Sequence, residues 1–196
     1  TYGHWVQNEK PFVMSVRFKL EEVDALAKKA AEKIDHDMDW LNEPSKWTRD
    51  AEAFRIHTDA KTDFWRKTHD GGGRHNGHFY YETVDGDFTI QVKLSGECRD
   101  TYDQGGLMVR VDETIWMKCG IEVVDGAQLG SVVVTRDWSD WSVVSLPASP
   151  SVRWKVSRNH DTLEVLYASG RQDFVRFRQT FLTHSPTVDV GIMACS

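Results

Sequence analysis

Cysteine and proline are both scarce, at three and five residues, and no apolar run nears the roughly 20 residues that span a bilayer. A membrane helix is therefore not expected. Cys98, Cys119 and Cys195 are scattered, odd in number and free of any CxxC or Cys/His metal spacing. Such usage predicts reduced thiols in a cytoplasmic protein, with neither a disulfide framework nor a zinc site. An excess of cations is also missing: 24 Lys and Arg stand against 30 Asp and Glu, a formal net charge of −6. Binding to a phosphate backbone rests on clustered Lys and Arg, so nucleic acid is not expected as a partner. The run Gly71-Gly72-Gly73 lacks the glycine spacing and the following Lys-Ser/Thr of a phosphate loop. His69, His75 and His78 cluster beside it, but their spacing matches no known zinc pattern. Neither a metal nor another cofactor is expected.

What the chain does hold is enough apolar material for one ordinary domain, 40% of 196 residues. Residues 20–37 stand apart from the rest. Leu20, Val23, Leu26 or Ala27, Ala30 and Ile34 recur at helical spacing among Lys, Glu and Asp. This predicts a helix, after a short strand over residues 12–18, in an N-terminal extension covering residues 1–38. From Trp40 the pattern changes to short alternating runs punctuated by Gly, Asp, Asn and Pro. Strands are predicted at 54–58, 88–94, 107–111, 152–157, 163–167, 174–178 and 188–194, with turns at Asp85-Gly86, Asn159-His160-Asp161 and Ser169-Gly170. Many short strands without intervening helices indicate an antiparallel β-sandwich over residues 39–196.

The run from Gly105 to Thr135 is the most informative. Met117, Cys119, Ile121 and Val123 alternate with Trp116, Lys118, Gly120 and Glu122. Successive side chains point to opposite faces of a strand, so the first set is expected in a core and the second in water. Asp125-Gly126 tolerates the positive φ of a tight hairpin turn, and Ser131 to Thr135 forms the returning strand.

The motifs Trp40-Leu41-Asn42-Glu43-Pro44, Thr62-Asp63-Phe64-Trp65, Asn76-Gly77-His78-Phe79, Gly86-Asp87-Phe88-Thr89 and Tyr102-Asp103-Gln104 occur in order. Gly106-Leu107-Met108-Val109-Arg110, Trp116-Met117-Lys118, Gly120-Ile121-Glu122, Ser131 to Thr135, Ser139-Asp140-Trp141-Ser142 and Val190 to Cys195 follow. Together they resemble the DUF1349 family, over about residues 39–196. The resemblance implies a concanavalin A-like jelly roll with a concave sheet face. It also implies a link to carbohydrate metabolism, since the fungal member is tied to regulation of a glycolytic enzyme. Two departures stand out. His69-Asp70-Gly71-Gly72-Gly73 replaces the aromatics usual after Trp65. The final Gly-rich strand of the family is expected to be absent or supplied elsewhere.

The polar face of the hairpin leads to three functional readings. In the first, a non-catalytic groove binds a carbohydrate or sugar-derived metabolite through Asp103, Gln104, Arg110, Lys118, Glu122 and Ser131, with Trp65 and Trp116 as ring platforms. Trp138 and Trp141 would rim it, Trp154 would lie in the core, and Trp40 and Trp47 would pin the chain entry. In the second, the domain is an interaction module that regulates a metabolic enzyme. In the third, Asp103 and Glu122 form the carboxylate pair of a glycoside-cleaving enzyme. Against all three stands the plain alternative that Arg110, Lys118 and Glu122 form salt bridges on a wet sheet.

Overall fold

The computed structural model describes residues 38–50, 53–96 and 98–196 together with the backbone of 13–21. The described residues form sixteen strands. They are β1 (Val13–Glu21), β2 (Asp39–Leu41), β3 (Lys46–Arg49), β4 (Phe54–His57), β5 (Phe64–Arg66), β6 (Gly73–His75), β7 (His78–Asp85) and β8 (Phe88–Gly96). The series continues with β9 (Gln104–Arg110), β10 (Ile115–Val124), β11 (Ala127–Arg136), β12 (Trp138–Ser145), β13 (Val152–Asn159), β14 (Thr162–Ser169), β15 (Val175–Phe181) and β16 (Thr187–Cys195).

Two seven-stranded antiparallel sheets stack as a sandwich. The first runs β15-β14-β13-β8-β1-β4-β3 and the second β12-β11-β10-β9-β16-β7-β2. Alternation explains the core. Phe88, Ile90, Val92 and Leu94 on β8 and Val152, Trp154 and Val156 on β13 meet Met117, Cys119 and Ile121 on β10. The expected all-β jelly roll is thus what the chain builds. The β10–β11 turn has φ of 50° at Asp125 and 78° at Gly126, the pair of left-handed residues that a type I′ hairpin requires.

The strand expected over residues 12–18 is β1, and it lies inside the first sheet, between β8 and β4. Leu20 and Glu21, read as the start of a helix, close that strand instead. From residue 22 to 37 the expected helix lies outside the described residues. β16 is an interior strand, paired with β7 on one side and β9 on the other.

Two features escaped the sequence pattern. Residues 138–145, which carry the expected rim residues Trp138 and Trp141, form the edge strand β12. The stretch from 58 to 78 forms a strap with its own small two-stranded sheet, β5 and β6.

Candidate functional site

The face of the second sheet turned away from the core carries Cys195, Gln104, Glu122 and Leu129 in one cross-strand row. Gly191, Met108, Lys118, Val133 and Trp141 form another. Backbones press close here, since a Cβ on Gly106 or Gly120 would fall 1.8 and 2.1 Å from carbonyl oxygens of the facing strand.

Most of this face is covered. Phe64 and Trp65 of the strap pack on Phe79, Met108, Trp116, Val133, Met193 and Cys195 as a second apolar cluster. The strap is tied down on both sides. Near β2, Asn42 Nδ2 donates to the carbonyls of His75 (2.7 Å) and Gly77 (2.8 Å). His78 donates from Nδ1 to Asn42 O and accepts at Nε2 from Asp59 N, which fixes its neutral tautomer. Thr62 exchanges backbone and side-chain bonds with Ser196. Towards β12, Arg66 N donates to Ser139 Oγ and Thr68 Oγ1 to Ser139 O, while Arg66 and Lys67 both reach Asp137. Lys61, Lys67 and His69 are held at φ of 63°, 57° and 79°. Such left-handed non-glycine residues persist only where their surroundings over-determine them.

The strap also supplies charge. Lys118, 3% exposed, donates from Nζ to Asp63 Oδ1 at 2.9 Å and to Phe64 O at 2.6 Å. Asp63 further accepts from Gln104 Nε2 (3.0 Å) and from Phe64 N (2.7 Å). Burial pulls the Lys118 pKa down, but the charges of Asp63 and Glu122 and the Asp63 hydrogen bond leave it above the ordinary lysine value. Glu122, 6% exposed, takes a bond from Trp141 Nε1 at 3.1 Å and another from Ser131. Its burial raises its pKa, with Lys118 and these donors opposing. The buried set therefore holds two carboxylates for one ammonium.

The expectation of a wet, open face needs correction. Trp116 is 1% exposed, its ring in the second cluster and its Nε1 donating to Glu113 O. Trp65 is 6% exposed, with Nε1 donating to Thr68 O, so it is a plug rather than a platform. Asp103 braces a turn: its carboxylate accepts from Arg99 N, Asp100 N and Ser196 Oγ. Besides burial, the charge that raises the Glu122 pKa is that of Asp63, while the Asp103 carboxylate is taken up by the turn and by Ser196. Arg110 lies at the other end of the face, 3.6 Å from Asp189. Trp65, Gln104, Lys118, Glu122 and Ser131 do gather, around Asp63 and Trp141. Of the three histidines, His75 sits 3.0 Å from Glu113 and His78 is buried in the strap's anchor, and the described residues include no metal-binding cluster.

What stays open is the margin beyond the strap. Trp141 is 36% and Val143 44% exposed, on one face of β12. Leu129 and Tyr102 are half-buried, and the field of Glu122 helps burial raise the Tyr102 pKa. Trp65 meets Trp141 edge-on, at 6.5 Å and 89°. The result is an apolar shelf whose floor carries Glu122, Ser131 and an indole N–H. Asp63 and Tyr102 lay unassigned within motifs; only their separation in sequence hid them.

The family described as "Protein of unknown function (DUF1349)" matches residues 40–196. Regulation of enolase protein 1 of Saccharomyces cerevisiae is 37% identical over 161 residues, 80% of either chain. A crystal structure of a functionally unknown protein from Saccharomyces cerevisiae superposes with a TM-score of 0.78 at 35% identity, over 82% of this chain and 87% of that one. The GH43 protein BlXynB from Bacillus licheniformis shares the fold alone, with a TM-score of 0.60 at 16% identity, over 81% of this chain and 33% of its own. No helix among the described residues is long and apolar enough to cross a membrane. With the match spanning the sandwich from β2 to β16 and a relative this similar, the chain belongs to the DUF1349 family.

Proposed function

We propose that this protein is a cytoplasmic, non-catalytic binding module in the control of carbohydrate metabolism, and that a sugar or sugar-derived metabolite rests on the Trp141 shelf. One observation carries the reading: exposed Trp141 beside exposed Val143, with the Trp141 N–H bonded to the buried oxygens of Glu122 and Ser131. A pyranose ring has apolar C–H faces and a rim of hydroxyls. An aromatic platform with a few fixed polar groups beneath it suits that chemistry. The site differs from the groove that sequence alone predicts, because the strap already occupies the centre of the face.

Calorimetric titration with hexoses, hexose phosphates and short oligosaccharides tests this on the wild type and on Trp141→Ala. Binding weakened at least tenfold by the substitution is expected, which corresponds to about 1.4 kcal/mol. Equal affinity of the two proteins for every ligand that binds would remove the shelf as the site.

A second reading is favoured by the relative named for regulation of enolase. In it the module acts by contact with a metabolic enzyme, and sugar binding at the shelf modulates that contact. Titration of the chain with purified enolase, with and without a ligand found above, tests it. A heat of association that the ligand alters is expected, and its absence would leave the shelf reading alone.

A further inference from the structure

The outer face of the first sheet carries a stripe of cations. Along β8 and β13 the core residues alternate with Thr89, Gln91 and Lys93, and with Arg153, Lys155 and Ser157. Lys93 and Arg153 stand directly opposite in the β8–β13 register, and Arg17 of β1 is the Cα partner of Lys93 on its other side. Lys155 follows two residues after Arg153 on the same face. Like charges set directly across a sheet destabilise it. Among the described residues Lys93, Arg153 and Lys155 make no ion pair, whereas Glu164 on the neighbouring strand is taken by Arg176 at 2.6 Å. Phe174 lies against two of the cations, 4.9 Å from the Arg153 guanidinium and 4.5 Å from Lys155 Nζ. The ring holds them in place on the surface without neutralising them.

This stripe sits on a chain whose net charge is −6. Screening confines exposed charges to a range of about 8 Å at physiological salt, so a partner pressed to this face meets the local cations rather than the net charge. We infer that the outer face of the first sheet docks an acidic surface of a protein partner, with Lys93, Arg153 and Lys155 as its cationic centre. The opposed charges, unfavourable in the isolated sheet, become favourable once carboxylates lie between them. The inference goes beyond the ligand shelf, because Trp141 belongs to the other sheet.

Fluorescent poly-L-glutamate serves as the probe, read by anisotropy with the full chain at low and at physiological salt. Phosphatidylcholine–phosphatidylserine vesicles and a random-sequence DNA duplex serve as rival polyanions. Poly-L-glutamate is expected to bind at low salt, to weaken as salt rises, and to lose at least tenfold in affinity with Lys93→Gln/Arg153→Gln. That double variant removes a repulsion, so its melting temperature should equal or exceed that of the wild type, which separates lost docking from lost folding. The same variant should leave any sugar titration at the shelf unchanged. Absence of poly-L-glutamate binding, equal binding by the double variant, or tighter binding of vesicles or DNA than of poly-L-glutamate would each overturn the inference.

Discussion

Replacing Lys118 by Met tests whether the strap is locked by charge. Unit charges 2.9 Å apart, the Lys118–Asp63 distance, attract by about 6 kcal/mol at an effective dielectric of about 20. Desolvation of two buried ions costs several kcal/mol each, so the intact pair contributes little net stability. The single variant is another matter. It strands the Asp63 carboxylate in the interior with Gln104 Nε2 and Phe64 N as its donors among the described residues. Breaking one side of a buried pair costs about 3–5 kcal/mol. For a chain of this size that lowers the melting temperature by roughly 6–20 °C. Urea denaturation of Lys118→Met, Asp63→Asn and the double variant supplies the cycle. The double variant should be more stable than the sum of the two singles allows, by up to about 3 kcal/mol. Additivity within about 0.5 kcal/mol, or a single-variant loss below about 1 kcal/mol, would refute the claim that this pair holds the strap.

Gly77→Ala should cost about 1–3 kcal/mol by overpacking, because its Cβ would lie 2.4 Å from the Phe64 ring and 2.6 Å from Cys195 Sγ; near-UV circular dichroism should register the displaced strap. Glu122→Gln should flatten the dependence of stability on pH. With its pKa raised in the folded state, Glu122 binds its proton more tightly there, so its contribution is fully present below the ordinary glutamate pKa and is lost as pH rises through the folded value. Urea midpoints across that window should fall more steeply for the wild type, and parallel profiles would contradict it. All three thiols have pKa values pushed well up by burial, so a thiol-disulfide reagent should react with them only slowly until the chain unfolds.

The sandwich was legible in the chain because its signal is local. The period-two alternation of Phe88 to Leu94, Val152 to Val156 and Met117 to Val123 names a buried face without reference to anything distant. Asp125-Gly126 names its turn for the same reason, the positive φ that both positions adopt. Alternation says which residues share a face, but not what lies over it. Trp116, Lys118 and Glu122 do share one, as expected, yet a strap 55 residues upstream of Lys118 in the bond with Asp63 covers much of it. That covering rests on contacts between segments far apart in sequence, such as Thr62 with Ser196 and Asn42 with Gly77. Local pattern carries no trace of such pairings. For the same reason local pattern makes Trp141 a rim and Trp65 a platform, while the fold turns the strap's own Trp65 inward against the sheet and leaves Trp141 facing water. Local chemistry dictated strands, turns and face-sharing; long-range packing settled which polar groups were spent holding the molecule together and which were left to meet a ligand.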